Sequence, residues 1–285
     1  YNHPPGRHNV GADKLDVPES LFEMLQQLKA AGYDTGELPE SPEALLDQIQ
    51  DRGINLADNR SGLEDLVGRV PSFSTDEYKA YFDTLPTRIQ AELETGPIGY
   101  LHEGMKEALA QDEADLATGL LERSINDLRH MLNNHEHDAQ QRALNLLDQY
   151  QVGWEQAISD KSYDEELTKL RNALLRTGIP GLTGWGDAPG EAMVHDGEMV
   201  FPGIRFGNVF IGPQPPRGGE VSEALLHANT NFPPTHQYMG FYHWLRDHFE
   251  TDALVYVGRH STREFLPRRR AGLGPDDYPE LLGAD

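Results

Sequence analysis

The sequence predicts an α/β protein: Rossmann-like βαβ core segments with a mainly helical inserted module. Three observations predict it. From about Ile89 to Thr177, apolar residues recur at helical spacing almost without a break. After Gly178-Ile179-Pro180-Gly181, Gly, Pro and aromatic residues rise and short β-type runs appear. Among those runs a strand (207–212), a helix (235–250) and another strand (253–258) follow one another, the order of a βαβ unit. The expected organisation is an α/β core segment over 1–90, the helical module over 91–181, and a second α/β core segment over 182–285.

The first six residues, Tyr1-Asn2-His3-Pro4-Pro5-Gly6, read as a strand end running into a Pro/Gly loop. With no initiator Met, the chain is expected to be an internal piece of a longer protein. Pro18-Glu19-Ser20 opens a helix with Leu21, Leu25 and Leu28 on one face and Gly32 as its stop. Ser41 caps a second helix from Pro42 to about Arg52, with proline at the first helical position, where its missing N–H costs nothing. Shorter helical patterns follow at 62–67 and 76–85.

In the helical stretch, Ala117, Leu121, Ile125, Leu128 and Leu132 make one stripe, and Leu144, Leu147, Tyr150, Trp154 and Ile158 a second. Leu167, Leu170 and Leu174 continue the pattern. Such stripes pack against one another as a hairpin or small bundle. Residues 198–201, 207–212 and 253–258 read as strands, and a further helix is expected to begin near Thr262.

Charge and composition exclude several classes. The 285 residues carry 24 Lys+Arg against 47 Asp+Glu, a net charge of −23. Contacts to nucleic-acid phosphates or to a basic-helix membrane site need the opposite sign on the binding face, so no nucleic-acid partner is expected. No apolar run reaches the roughly 18 residues of a spanning helix, and no signal-peptide pattern opens the chain, so no membrane span and a cytoplasmic location are expected. The absence of Cys rules out disulfides, thiolate metal sites and a thiol nucleophile. The bases are 18 Arg and only 6 Lys. An acidic, Lys-poor chain fits a high-salt cytoplasm, as in a halophilic archaeon, where screening lets like charges coexist; an ordinary acidic cytosolic protein is the alternative.

Nucleotide-loop and hydrolase motifs are missing. No GxxxxGK[ST], GxGxxG after a strand, GxSxG or HExxH occurs, so ATP is not expected to bind here through a P-loop. His135-Glu136-His137 falls between two polar helix ends and reads as a solvated loop. The strongest local anomaly follows the run Ala253–Val257. Residues 259–270 hold five Arg and one acid in an otherwise acidic chain, and His260 and Glu264 stand at i, i+4 spacing. Ligands of open α/β sheets bind beyond the carboxyl ends of strands, where this stretch is expected to fall. A converging imidazole and carboxylate could ligate a divalent cation or pass protons, or could form only a structural hydrogen bond. The arginines suit a substrate bearing carboxylates, or a solvated helix end. A second feature is the rigid loop after the strand at 207–212, carrying Gln214 and Arg217. A third is Pro233-Pro234-Thr235-His236, where His236 could be a ligand, a proton carrier or a helix-start hydrogen bonder.

"WGDAPG" (185–190), "FPGIRFGNVFIGPQPPRG" (201–218), "PPTHQYMGFYHWLRDHF" (233–249), "DALVYVGRHSTREFLP" (252–267) and "YPELLGAD" (278–285) fall in the order seen in the CobN/magnesium-chelatase large-subunit family. The first 34 residues and "YFDTLP" (81–86) also resemble that family, and 91–181 does so poorly. The match looks closest to the cobaltochelatase branch. The resemblance implies a tetrapyrrole-binding subunit that inserts Co2+ into a corrin precursor in cobalamin biosynthesis, with Mg2+ and protoporphyrin, or a non-catalytic tetrapyrrole-binding paralogue, as alternatives. It also implies separate AAA+ ATPase subunits that use ATP, which agrees with the missing P-loop.

The family signature, His-Gly-Thr/Ser-x-Glu-Trp/Phe-Leu/Met-Pro-Gly-Lys, is matched by His260, Thr262, Glu264, Phe265, Leu266 and Pro267. Ser261 and Arg268-Arg269 depart from it. The resemblance therefore assigns metal handling and catalysis to His260 and Glu264, with His236 as a second imidazole at the metal. Substrate binding is expected of Gln214, Arg217, His236, Arg268 and Arg269 on their own chemistry, the arginines as partners for peripheral carboxylates. Metal insertion displaces two pyrrole protons, which calls for a base near the ring and a weak, transient ligand for the incoming ion.

Overall fold

The structure is a computed structural model of the chain, and it describes residues 15–53, 60–133, 137–179, 181–215, 233–258, 266–267 and 273–283. The chain starts with two short amphipathic helices. In α1 (Val17–Ala30) the Asp16 carboxylate caps the first turn by accepting from the Glu19 N–H at 3.2 Å. In α2 (Pro42–Arg52) the Ser41 hydroxyl accepts from the Ala44 N–H at 3.2 Å, and Pro42 opens the helix as expected. Leu25, Leu45 and Ile49 bury themselves against Ile204 and Phe206 of a hairpin formed by β4 (Ile204–Phe206) and β5 (Val209–Ile211).

The short helix α3 (Arg60–Glu64) precedes β1 (Ser72–Ser74). This strand pairs with β3 (Glu198–Val200), which pairs in turn with β2 (Val194–His195), in the order β1-β3-β2. Asp196 and Gly197, both at positive φ, turn β2 into β3, as a tight hairpin connection requires.

Against this small sheet lie α4 (Thr75–Phe82), α5 (Thr87–Thr95), α10 (His236–Asp247) and α11 (Tyr278–Leu281). They share an aromatic-rich core of Phe73, Tyr78, Phe82, Phe201, Tyr238 and Trp244, among others.

The middle of the chain is helical, as its stripes predict. Helices α6 (Pro97–Ala110), α7 (Ala114–Asn133), α8 (Gln140–Asp160) and α9 (Glu166–Leu175) pack in sequence, and α9 returns to α6. Ala117, Leu121, Ile125, Leu128 and Leu132 are all buried in one continuous core with Leu147, Tyr150, Trp154, Leu167 and Leu174. This cluster runs from Ile98 to Leu182. Its junction with the rest is glycine-dependent. Gly96 sits at φ +80° with space for a Cβ only 2.3 Å from the Leu182 carbonyl, and a Cβ on Gly184 would stand 2.4 Å from the Leu93 carbonyl.

Two expectations are corrected. The strand pairings are all antiparallel among the described residues, so the Rossmann-like βαβ unit over 207–258 is not formed there; the protein is a helix-rich mixed structure with few, short strands. Residues 253–257, whose composition reads as a buried strand, adopt no strand, and Leu254 and Val255 are 43% and 64% exposed. Apolar, β-branched composition is the signal, but a strand also needs a neighbour to pair with, and composition does not supply one. The helix expected from Thr262 and the strand end at 1–6 lie outside the described residues.

Candidate functional site

Helix α10 organises the polar chemistry of the aromatic core. Pro233-Pro234 cannot continue a helix backwards, and the Thr235 hydroxyl caps α10 by accepting from the Tyr238 N–H at 3.0 Å. The helix that follows is nearly all buried, so each of its polar side chains must find a partner.

His236 finds two. Its Nε2 lies 2.9 Å from the Gly186 carbonyl oxygen and its Nδ1 2.9 Å from the Tyr78 hydroxyl. A carbonyl only accepts, so Nε2 carries the proton and donates; Nδ1 then accepts from the Tyr78 O–H. Burial pushes the imidazole below its usual range and the Tyr78 phenol well above its own. The ring is seated closely, since a Cβ on Gly190 would stand 3.1 Å from it. Of the three roles open to His236, the arrangement is that of the helix-start hydrogen bonder. Both ring nitrogens are engaged by protein groups at the position expected for a metal and substrate contact. The segment 185–190 that receives it is itself tied down: the Trp185 N–H donates to the Leu93 carbonyl at 2.7 Å and its indole N–H to the Pro233 carbonyl at 3.1 Å.

One turn on, Gln214 reaches in from the Pro/Gly loop after β5. Its Nε2 donates to the Tyr238 hydroxyl at 2.8 Å and to the Tyr242 hydroxyl at 2.7 Å. The Tyr242 and Tyr256 hydroxyls are 2.9 Å apart. Burial, with the neighbouring phenols Tyr238 and Tyr256, raises Tyr242 far above the usual tyrosine range. Gln214 is thus engaged by protein groups at the position expected for a substrate contact.

The last turn of α10 carries a third group. His243 stacks face to face on Tyr81, with ring centroids 4.0 Å apart, and its Nδ1 is 2.6 Å from Asp247. His248 stacks on Phe73 at 5.3 Å and pairs with Glu77 at 3.0 Å. Arg246 holds the Asp247 carboxyl below its usual range. Burial pushes the Tyr81 phenol up to about 12.

His260, Glu264, Arg217, Arg268 and Arg269 lie outside the described residues. Among the described residues, no three His, Asp or Glu side chains converge as a metal ion would require. His137 sits between α7 and α8, accepting from the Ala139 N–H at 3.0 Å, in keeping with a loop. Sequence reasoning misses the tyrosines 78, 238, 242 and 256. A tyrosine at i and i+4 of a helix entered through Pro-Pro-Thr is the available signal. Also among the described residues, no helix is long and apolar enough to cross a membrane.

Comparison with known proteins places this geometry in context. The CobN/Magnesium Chelatase family matches residues 1–96 and 99–285. The H-type magnesium-chelatase protein of Chlorobaculum parvum is 37% identical over 284 residues, covering 99% of this chain and 15% of that protein. An aerobic cobaltochelatase subunit CobN of Pseudomonas aeruginosa is 38% identical over 101 residues, 35% of this chain and 8% of the relative. The solved catalytic subunit of cobaltochelatase from Mycobacterium tuberculosis superposes with a TM-score of 0.51 at 22% identity, over 95% of this chain and 16% of that one. The chain therefore spans less than a fifth of the length of each of these proteins.

Proposed function

The chain belongs to the CobN/Magnesium Chelatase family, and from that premise we propose that it forms part of the large, tetrapyrrole-binding subunit of an ATP-dependent cobaltochelatase. The substrate is Co2+ with a corrin precursor of the hydrogenobyrinic acid a,c-diamide type, in cobalamin biosynthesis. The observation that carries this reading is the signature His260-Ser261-Thr262-Arg263-Glu264-Phe265-Leu266-Pro267, within a family match that runs nearly end to end. His260 and Glu264 offer the incoming ion a transient nitrogen–oxygen ligand set, and as they release it into the macrocycle each takes up one of the two displaced pyrrole protons. Arg217, Arg268 and Arg269 pair with peripheral carboxylates of the macrocycle. ATP is used by separate AAA+ subunits, and the assembly works in the cytoplasm of a salt-adapted cell.

The division into 1–90, 91–181 and 182–285 belongs to the same proposal, and the continuous core from Ile98 to Leu182 supports it. In it the helical module docks the ATPase motor; deleting it and measuring complex formation tests that role.

The test of the site is metal insertion by the full-length subunit with its ATPase partners in high salt. His260→Ala and Glu264→Ala are each expected to lower the rate about 100-fold or more; unimpaired insertion would remove the site assignment. The 37% identity to the Chlorobaculum parvum magnesium-chelatase protein favours a second reading, magnesium insertion into protoporphyrin. Side-by-side titration with the two macrocycles separates them. The departures at Ser261, Arg268 and Arg269 motivate a third, a non-catalytic paralogue that binds a tetrapyrrole without inserting metal.

A further inference from the structure

Helices α8 and α9 leave a groove between them on the outer side of the helical core. We propose that this groove receives a basic amphipathic helix of a partner protein. The proposal deepens the docking role given to the helical module above and rests on it, so the helix belongs to the ATPase motor.

The shape of the groove suits a helix. Its two walls come together at Gly153, where a Cβ would stand 2.8 Å from the Leu167 side chain. Along α8 the lining residues recur at 148–149, 152–153, 156–157 and 160, a single ridge of three- and four-residue steps. At 1.5 Å rise per residue that ridge is about 18 Å long, and the groove holds about 520 Å³. Its floor is apolar. Val152 is 63% exposed, and Leu170 is partly buried beside the buried Ala157 and Leu167. A lone exposed valine on a convex surface means little. Here it stands in an elongated hollow between two helices, the seat into which a third helix packs.

The rim decides the sign of the partner. Asp148, Asp160, Asp164 and Glu166 line the groove, and no Lys or Arg does. Arg129 pairs with Asp148 at 2.6 Å and Lys169 with Glu166 at 2.7 Å. Asp160 and Asp164 accept from neutral donors, the Gln156 amide at 2.8 Å and the Glu166 N–H at 2.9 Å, and keep their charge for an incoming Lys or Arg. A second copy of this chain, at −23, would bring like charge to the same place. The chain's own arginine-rich stretch at 259–270 is held elsewhere, since Leu266 within it is buried in the aromatic core with Trp244. About three turns of a partner's helix, with apolar residues at i, i+3, i+4 and i+7 and Lys or Arg on its flanks, satisfy length, floor and rim together.

The experiment uses the full-length subunit with its ATPase partners. A photo-crosslinking benzophenone side chain in place of Val152 captures what lies in the groove, and the captured peptide is identified by mass spectrometry. The Kd of the complex is measured alongside, with melting temperatures, for Val152→Asp, for the pair Asp160→Asn and Asp164→Asn, for Leu116→Asp, and for deletion of the helical module. The asparagines remove charge and keep acceptor oxygens. Leu116, on α7, is 51% exposed and does not line the groove, so Leu116→Asp is the control. The expected capture is an ATPase-subunit segment with Lys or Arg beside apolar residues at helical spacing. Val152→Asp is expected to raise Kd about tenfold or more. The asparagine pair is expected to raise it roughly threefold at about 0.15 M KCl and less at about 1 M, where salt screens the rim. Leu116→Asp is expected to leave Kd unchanged. Capture of an acidic segment, of a second copy, or of another part of the same subunit overturns the proposal, as does unchanged affinity in Val152→Asp. Loss of the complex on deletion, beside normal binding by the groove variants, overturns the groove alone; normal binding by the deletion variant overturns the docking role with it.

Discussion

Among the described residues, His236 and His102 are buried with both nitrogens held, and both make folding less favourable as the pH falls. His236 sits between Tyr78 and Gly186. His102 sits in the helical region, with Nδ1 2.8 Å from the Tyr150 hydroxyl and Nε2 3.0 Å from that of Tyr163. Burial, helped by Arg171 and Lys106, pushes His102 down to about 3, and burial lowers His236 as well. An unfolded histidine titrates near 6.5. Below that value the unfolded chain takes up protons that the folded chain refuses, so these residues favour folding fully above about pH 6.5. The contribution is lost as the pH falls, for His102 down to about 3. Each imidazole is expected to add a slope of up to about 1.4 kcal/mol per pH unit. Urea unfolding between pH 6.5 and 5, where most carboxylates stay ionised, measures it. His102→Phe is expected to reduce that slope whatever it does to the absolute stability; an unchanged slope would contradict the buried neutral state.

At the scale of elements, the junction at Gly96 is a demanding position. Its φ of +80° with ψ of −167° is open essentially to glycine alone, and a Cβ there would meet backbone, which cannot move aside as a side chain tip can. Gly96→Ala is expected to cost about 3 kcal/mol or more. Gly32, at φ +94° with nothing near a Cβ, is the control, and Gly32→Ala is expected to cost about 1–2 kcal/mol. Comparing denaturation midpoints of the two separates crowding from backbone conformation.

The sequence is informative where a signal is local. Ser41-Pro42 marks a cap and a first turn, and the stripe from Ala117 to Leu132 needs only the 3.6-residue period; both are met in the structure. It is uninformative where partners lie far apart. Ser72–Ser74 joins Glu198–Val200 across more than a hundred residues, and no short-range pattern encodes that pairing or its antiparallel direction. The site divides in the same way. His236 and Gln214 stand out as polar residues in rigid loops, but their partners Tyr78 and Tyr242 read as core aromatics until the fold brings the hydroxyls to them.

For the whole molecule, the charge of −23 is the dominant long-range term. Several exposed ion pairs, such as Arg129–Asp148 at 2.6 Å and Lys161–Asp112 at 2.6 Å, offset it only locally, since surface pairs are worth little each. Like-charge repulsion favours the expanded chain, and added salt screens it, with a Debye length of about 3 Å at 1 M. The melting temperature is therefore expected to rise steadily from about 0.1 to 1 M KCl, and a flat or falling curve would argue against repulsion as a limiting term.

The exposed side chains of Leu254 and Val255 give that same screening an opposing effect between molecules. In dilute buffer the net charge holds copies apart and keeps these side chains from meeting their like. In strong salt the repulsion shrinks to contact distance, while apolar association is undiminished, and exposed apolar side chains on two copies then cohere. Conditions that steady the fold are thus those that make it adhesive, and the 285-residue chain has a solubility window bounded from below by unfolding and from above by self-association.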